Sequence, residues 1–259
     1  MKKKLLGLPY YLWCLIFILA PLCMVFYYGL TDKNGIFTFQ NVSAISSPEH
    51  LKALLLALVL SLIATFICLL LSYPLSMILC GMKKGQNSLM VFIFILPMWM
   101  NFLLRTMAWQ TLLEKTGVIN SILNFLHLPA LRIINTPYAI VLGMVYNFLP
   151  FMVLPIYNSL AKIDENVIQA ARDLGANSIQ VFLHITLPLS TPGIISGITM
   201  VFVPALTTFV ISKLLGGSKI LLIGNVIEEE FTQASNWHLG SGLSIVLMLF
   251  IIVNMVLSA

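Results

Sequence analysis

The sequence predicts an all-α integral membrane protein with six transmembrane helices, and three observations carry that prediction. Of 259 residues, 59% are hydrophobic and only 9% are charged, where a soluble domain carries about 25% charge. Mean hydropathy is +0.99. The charges also cluster, leaving six charge-poor stretches of at least 17 residues, and about 20 apolar residues cross the hydrocarbon core of a bilayer. Fourteen cations and nine acids cannot clothe a water-facing surface of this size, so the lipid bilayer is the solvent.

The first stretch, residues 5–31, follows Lys2, Lys3 and Lys4. It is too long for a signal peptide and lacks a small-x-small cleavage site. The second, 53–82, carries Pro74 as an expected kink near its end, and the third, 88–113, is interrupted only by Arg105. The fourth lies within 133–161, the fifth within 185–212, and the sixth runs from 243 to 259. Seventeen residues at 1.5 Å each reach about 25 Å, short of a full crossing, so the sixth span is expected to continue beyond the last residue.

Basic residues set the expected orientation. A cytoplasmic N-terminus puts Lys2–Lys4, Lys83, Lys84, Lys162 and Arg172 inside, in short segments. The outer cations (Lys33, Lys52, Lys115, Arg132, Lys213 and Lys219) are then spread over longer, acid-containing loops. That density difference follows the positive-inside pattern. The net charge of +5 is thus a topology signal and implies no nucleic-acid partner. Cys14, Cys23, Cys68 and Cys80 sit inside apolar runs without metal-ligand spacing, as small reduced packing residues.

All nine acids are expected in loops or at span edges. Proton- and sodium-coupled carriers need ionisable groups at depth, so a self-powered carrier is disfavoured. No selectivity-filter motif, catalytic triad, metal-protease motif or phosphate-cradling loop occurs. The chain is therefore expected to be no enzyme, to hold no cofactor, and to draw its energy from elsewhere.

The internal segment 162–184 is polar. Asp164 is placed to cap a short helix whose Val167, Ile168, Ala171 and Leu174 recur at helical spacing. Gly175 ends it, where a residue without Cβ turns most readily into the left-handed region. Ile179, Phe182 and Leu183 line a second short helix, and Pro188 enters the fifth span near its first turn. By periodicity alone this is either a linker at the membrane surface or a docking knob.

The order Gln169-Ala170-Ala171, three residues, Gly175, nine residues, Ile185-Thr186-Leu187-Pro188 resembles the EAA loop of ABC-importer membrane subunits. Gln169 stands where that family usually has Glu, keeping hydrogen bonding but losing charge. The resemblance extends to other segments. Leu96-Pro97-Met98-Trp99-Met100-Asn101-Phe102-Leu103-Leu104-Arg105 and Leu149-Pro150-Phe151-Met152-Val153-Leu154-Pro155-Ile156-Tyr157 are similar to spermidine/putrescine permease proteins. So are Leu215-Gly216-Gly217-Ser218-Lys219 and Leu221-Leu222-Ile223-Gly224-Asn225-Val226-Ile227, which lie outside the general importer motif and point to the PotB-type polyamine subgroup.

The resemblance implies a type I ABC-importer transmembrane domain over 51–259, with five spans and a coupling loop at 162–187, preceded by a first span and outer loop in 1–50. It also implies partners: a second homologous permease, ATP-binding cassette subunits that use ATP and Mg²⁺, and an extracellular or periplasmic polyamine-binding protein. Gln169, Ala170, Ala171, Gly175, Ile185, Leu187 and Pro188 are then the ATPase-coupling residues. The same resemblance leaves room for a permease of another solute, ferric iron or an organic phosphate, and a non-transporting scaffold subunit is the rival of a different class.

A polyamine path needs carboxylates, carbonyls or aromatic faces. Counted along straight helices, Trp99 lies about 17 Å from the inner end of its span and Tyr146 about 15 Å from the outer end of its own. Both are mid-bilayer candidates, for bundle packing or for cation contact. Trp109 is expected in the aromatic belt. Arg105, about 26 Å from the inner end, is expected to snorkel to the outer interface rather than gate the path. Glu228, Glu229 and Glu230 form an outer acidic run, read as a solvated loop or as a cation-gathering patch.

Overall fold

Apolar helices built to cross a bilayer make up nearly all of the computed structural model, which describes residues 8–82 and 86–257. Among these residues no strand forms beyond one isolated bridge, Thr31 to Phe37. Helix α1 (Leu8–Cys14) leads through a π-turn, Leu15–Leu19, into α2 (Ala20–Gly29). Pro21 has no N–H to give back to the preceding turn, and the π-turn ahead of it absorbs that misfit. Five helical segments are long and apolar enough to span, and a bent pair makes a sixth.

The chain packs as two units. One runs through Leu55 and resumes at Ile223–Leu257; the other is Leu56–Leu222. In the first unit α2 packs on the last helix, α14 (Trp237–Leu257), and the short α3 (Gln40–Ser43) packs there too. Asn41 Nδ2 donates to the Thr31 carbonyl at 3.0 Å, and His238 Nδ1 donates to the same carbonyl at 2.6 Å.

The sixth span starts earlier than the charge pattern predicts, at Trp237 rather than residue 243. Asn236 Oδ1 accepts the Leu239 N–H at 3.4 Å and so starts the helix ahead of the apolar run. Its 21 residues span about 31 Å, enough for the hydrocarbon core.

The second unit contains most of α4 (Pro48–Gly81), a 34-residue helix. Its inward stripe is small: Ala57, Ser61, Ala64, Cys68, Ser72 and Ser76 are all fully buried. Leu62, Phe66, Leu70 and Ile78 are exposed on the other side. That inversion suits lipid, where small residues bring helices together and large ones face the chains. Cys68 Sγ meets the Val145 carbonyl, Ser76 Oγ the Val153 carbonyl, and Cys80 Sγ the Tyr157 carbonyl, each at a separation of 77 residues. A constant offset means that α4 runs parallel to α8 (Pro137–Leu160).

The third span is not a straight helix. Helix α5 (Gln86–Ile95) passes into a 3₁₀ turn, Leu96–Trp99, and after a break α6 (Phe102–Leu113) leaves at 88°. Pro97 favours the break, Met100 is extended, and Asn101 Oδ1 caps the new helix by accepting from Leu103 at 2.8 Å and Leu104 at 3.4 Å. The depth counted for Arg105 along one axis is therefore overturned, whereas Trp99 lies ahead of the break. Helix α7 (Val118–Phe125) follows, its loop tied down by Asn120, which bonds to the Glu114 carbonyl and to both polar backbone groups of Leu131.

After α8 come α9 (Glu165–Asp173), α10 (Ser178–Val181), a π-turn at Phe182–Thr186, and α11 (Leu187–Thr207). The expected second short helix merges with the fifth span into one 30-residue run, Ser178–Thr207. Pro188 again sits just past a π-turn, as Pro21 does. The helix stops at Thr207, within the expected 185–212, because Thr208 turns extended, and α12 (Val210–Leu215) follows separately. Helix α13 (Ile223–Thr232) then begins the return to the first unit.

Candidate functional site

The segment between α8 and α11 is held by its ends. Helix α8 packs closely against α11. It is close because Gly193 and Gly197 lie one turn apart on α11: a Cβ at Gly193 would sit 2.6 Å from the Pro155 carbonyl oxygen, and one at Gly197 would sit 2.6 Å from Met152 Sδ. Nearer the loop, Val181 is buried, Phe182 packs edge-on against Tyr73 at 5.7 Å, and the Tyr73 hydroxyl pairs with Ser190 Oγ at 2.9 Å. The loop therefore stands on a fixed base.

Its outer part is assembled from local capping chemistry. Asp164 accepts from the Asn166 N–H at 3.0 Å and starts α9. At the other end the Gly175 N–H bonds to the Arg172 carbonyl at 2.9 Å and the Ala176 N–H to the Ala171 carbonyl at 3.0 Å. With Gly175 at φ +86°, that pair of bonds is a Schellman motif. Two residues on, Asn177 and Gln180 form a reciprocal capping box at 2.9 Å in both directions. Two caps back to back set the angle between α9 and the fifth span without tertiary contacts.

No residue of α9 is buried, and Leu174 is 90% exposed. The apolar side of an amphipathic helix is thus left uncovered by its own chain. Gln169 and Ala170 are exposed beside it and Ala171 is half-buried. Ile185 lies in the π-turn, while Leu187 and Pro188 open α11, so these three belong to the base and not to the tip. A rigid, capped knob with an uncovered apolar side can receive a partner but performs no chemistry.

The mid-membrane candidates do not meet. Trp99, at the end of the 3₁₀ turn, is 75% exposed and packs edge-on against Phe92 at 5.8 Å. Tyr146, half-exposed on α8, instead meets Trp109 at 5.2 Å. Arg105 does not snorkel: it is 7% exposed, donates from Nη1 to the Pro97 carbonyl at 2.9 Å, and lies 5.8 Å from the Tyr146 ring centre. The break in the third span turns Arg105 inward. Beside it Asn147 is buried, with Nδ2 bonded to the Gly143 carbonyl at 2.8 Å. The sequence reading missed this cluster, although Pro97 and Asn101 ahead of Arg105 signal a capped break.

Glu228, Glu229 and Glu230 are on α13 and half-buried, which corrects the reading of a solvated loop. Ile223, Val226, Ile227 and Phe231 recur at helical spacing around them. Successive residues turn about 100° on a helix, so the three carboxylates point in different directions rather than forming one patch. Among the described residues no group of His, Cys, Asp and Glu is arranged to hold a metal ion.

Residues 72–259 match the family of binding-protein-dependent transport system inner membrane components. The chain is 38% identical over 242 residues to the spermidine/putrescine transport system permease protein PotB of Haemophilus influenzae, covering 90% of this chain and 84% of that protein. It is 37% identical over 243 residues to the Escherichia coli protein of the same name, covering 91% and 88%. A chain of a bacterial alginate ABC transporter, solved in complex with an alginate pentasaccharide-bound periplasmic protein, shares the fold with a TM-score of 0.83 at 18% identity, over 99% of this chain and 92% of that one. A family match over the EAA-like loop and most of the helices, on this fold, means that the chain belongs to the binding-protein-dependent transport system inner membrane components: it is a multi-pass membrane permease of the type I ABC-importer kind, a transport subunit and not an enzyme.

Proposed function

We propose that this chain is a permease subunit of an ATP-driven importer for polyamines, and that it supplies half of the translocation path. The observation that carries this reading is the 38% identity, over 90% of the chain, to a spermidine/putrescine permease. The remaining half comes from a second, homologous permease. Two ATP-binding cassette subunits bind ATP and Mg²⁺, and a polyamine-binding protein delivers cargo from outside. Residues 162–187 dock in the ATPase, and closure of the ATPase pair on ATP moves this knob and the fifth span that continues from it. On this reading the transmembrane domain covers 51–259 and is preceded by a first span and outer loop in 1–50.

The test is made on the assembled complex in lipid nanodiscs. Spermidine-loaded binding protein should raise its ATPase rate several-fold over unloaded protein. Stimulation by another solute alone, with no response to spermidine or putrescine, would remove the polyamine reading and leave the importer reading standing.

We infer a cytoplasmic N-terminus from the density of basic residues. Lys162→Cys should then react with a membrane-impermeant thiol reagent only from the cytoplasmic side, and Lys33→Cys only from outside, in a background without native cysteines. The opposite pattern reverses the topology. Lys83 and Lys84, which also bear on it, lie outside the described residues. Trp99 and Tyr146 are the proposed cargo contacts on this subunit, each offering a π face because its spans bring no carboxylate to mid-bilayer.

A further inference from the structure

An uncompensated cation is buried in the second unit. Arg105 is 7% exposed, and its Nε is buried without a hydrogen-bond partner. What holds the guanidinium is one carbonyl, that of Pro97, and the face of Tyr146. Among the described residues no carboxylate pairs with it. Burying a charge without a counter-charge is costly, and a charge kept within a membrane domain at that cost marks a working position. A structural staple for the bend would need only the bond to Pro97, which a neutral donor could make.

The surroundings of the guanidinium are those of an amine site. Tyr146 and Trp109 form an edge-to-face corner at 5.2 Å, and Tyr146 is open to the outside of the chain. An aromatic face is what an alkylammonium group can turn to once it leaves water. The guanidinium uses the ring and leaves its own Nε–H unpaired.

We propose that Arg105 is a resident cation occupying an amine-binding corner made by Tyr146 and Trp109, and that a cargo ammonium enters by displacing it. The proposal rests on the polyamine reading above. It makes the corner self-blocking: with no cargo the tethered cation fills it, and other small cations meet a like charge. A polyamine, carrying several ammonium groups, competes where a single small cation does not. Displacement also withdraws the Arg105 bond from the Pro97 carbonyl and so links occupancy of the corner to the bend of the third span.

Binding of radiolabelled spermidine is measured by equilibrium dialysis on the whole importer in nanodiscs, without the binding protein. Arg105→Met, which keeps the apolar stem and removes the charge, should bind spermidine about tenfold more tightly than wild type, the size expected from removing one competing cation–π contact. Adding Tyr146→Leu should abolish that gain. Equal affinity in wild type and Arg105→Met overturns the proposal. If Arg105→Met does not assemble, Tyr146→Leu and Arg105→Lys decide: Tyr146→Leu should weaken binding several-fold, and Arg105→Lys, which loses the planar fork, should bind more tightly than wild type. No change in either overturns it equally. The ATPase response of the wild-type complex to spermidine-loaded binding protein separates the two readings. A failure there removes the polyamine function and this corner with it, whereas a normal response with unchanged Arg105→Met affinity removes only the resident-cation role.

Discussion

Gly175→Val should strip the ATPase subunits from the complex while the membrane bundle still accumulates. Gly175 holds φ at +86°, and a Cβ placed on it meets nothing within 4 Å. The requirement at this position is thus one of backbone conformation and not of space. A left-handed conformation costs an L-residue about 1–2 kcal/mol, and a β-branched residue is the least suited to it. That is too little to unfold a bundle held by α8 against α11. It is enough to open the Schellman turn, whose two bonds, to the Arg172 and Ala171 carbonyls, aim α9 away from the fifth span. Leu174, the residue before the turn and 90% exposed, would be redirected first. Gly175→Asn is the matched control, because Asn enters the left-handed region at lower cost. The measurement is co-purification of the ATPase with the tagged permease: retained in Gly175→Asn and lost in Gly175→Val. Wild-type recovery in Gly175→Val would end the assignment of this loop as the docking knob.

The loop was legible in the sequence because its determinants are local. Asp164, the 167–168–171–174 spacing and Gly175 each act on backbone a few residues away, and the structure places a cap, a helix and a left-handed turn where they predict. The helical spans were legible for a similar reason, since length and hydropathy are properties of a contiguous run. Breaks within such a run were not. Pro97 and Asn101 lie in a stretch without charge, so a count of apolar residues passed over them, and the helix behind them turned by 88°. The expected snorkelling of Arg105, counted along a straight span, failed with it. The acidic triplet was misread because three successive glutamates suggest solvent, while the apolar spacing around them was the stronger signal. Pro97 and Asn101 signal the break, but which residues Arg105 meets beyond it, Tyr146 among them, could not be found by pattern. That contact joins residues about 40 positions apart through a bend.

The second large effect is expected at the base of the loop. Gly193→Leu should prevent the protein from accumulating as a monodisperse species. A Cβ at Gly193 would lie 2.6 Å from the Pro155 carbonyl oxygen, 2.5 Å from Ser159 Cβ and 3.2 Å from Ile156 Cα. Two of these three are backbone atoms of α8, which yield only if the two helices separate. Overpacking of this kind costs about 3 kcal/mol, a large fraction of the 5–15 kcal/mol that holds an ordinary domain together. Gly81→Leu is the control, since a Cβ there meets nothing within 4 Å and should change little. The consequence reaches function because α8 and α11 are the two legs on which the loop stands. Gly193→Ala, the smallest step, should give a protein that assembles with its ATPase but transmits poorly, with ATPase activity that no longer rises with loaded binding protein. The legs would be spread while the capped tip, closed by its own bonds at Asp164, Gly175 and Asn177, stays intact. Thermal unfolding of the purified variants orders them as wild type, then Gly193→Ala, then Gly193→Leu. A Gly193→Leu protein as stable and as well coupled as wild type would mean that the α8–α11 contact does not set the position of the loop.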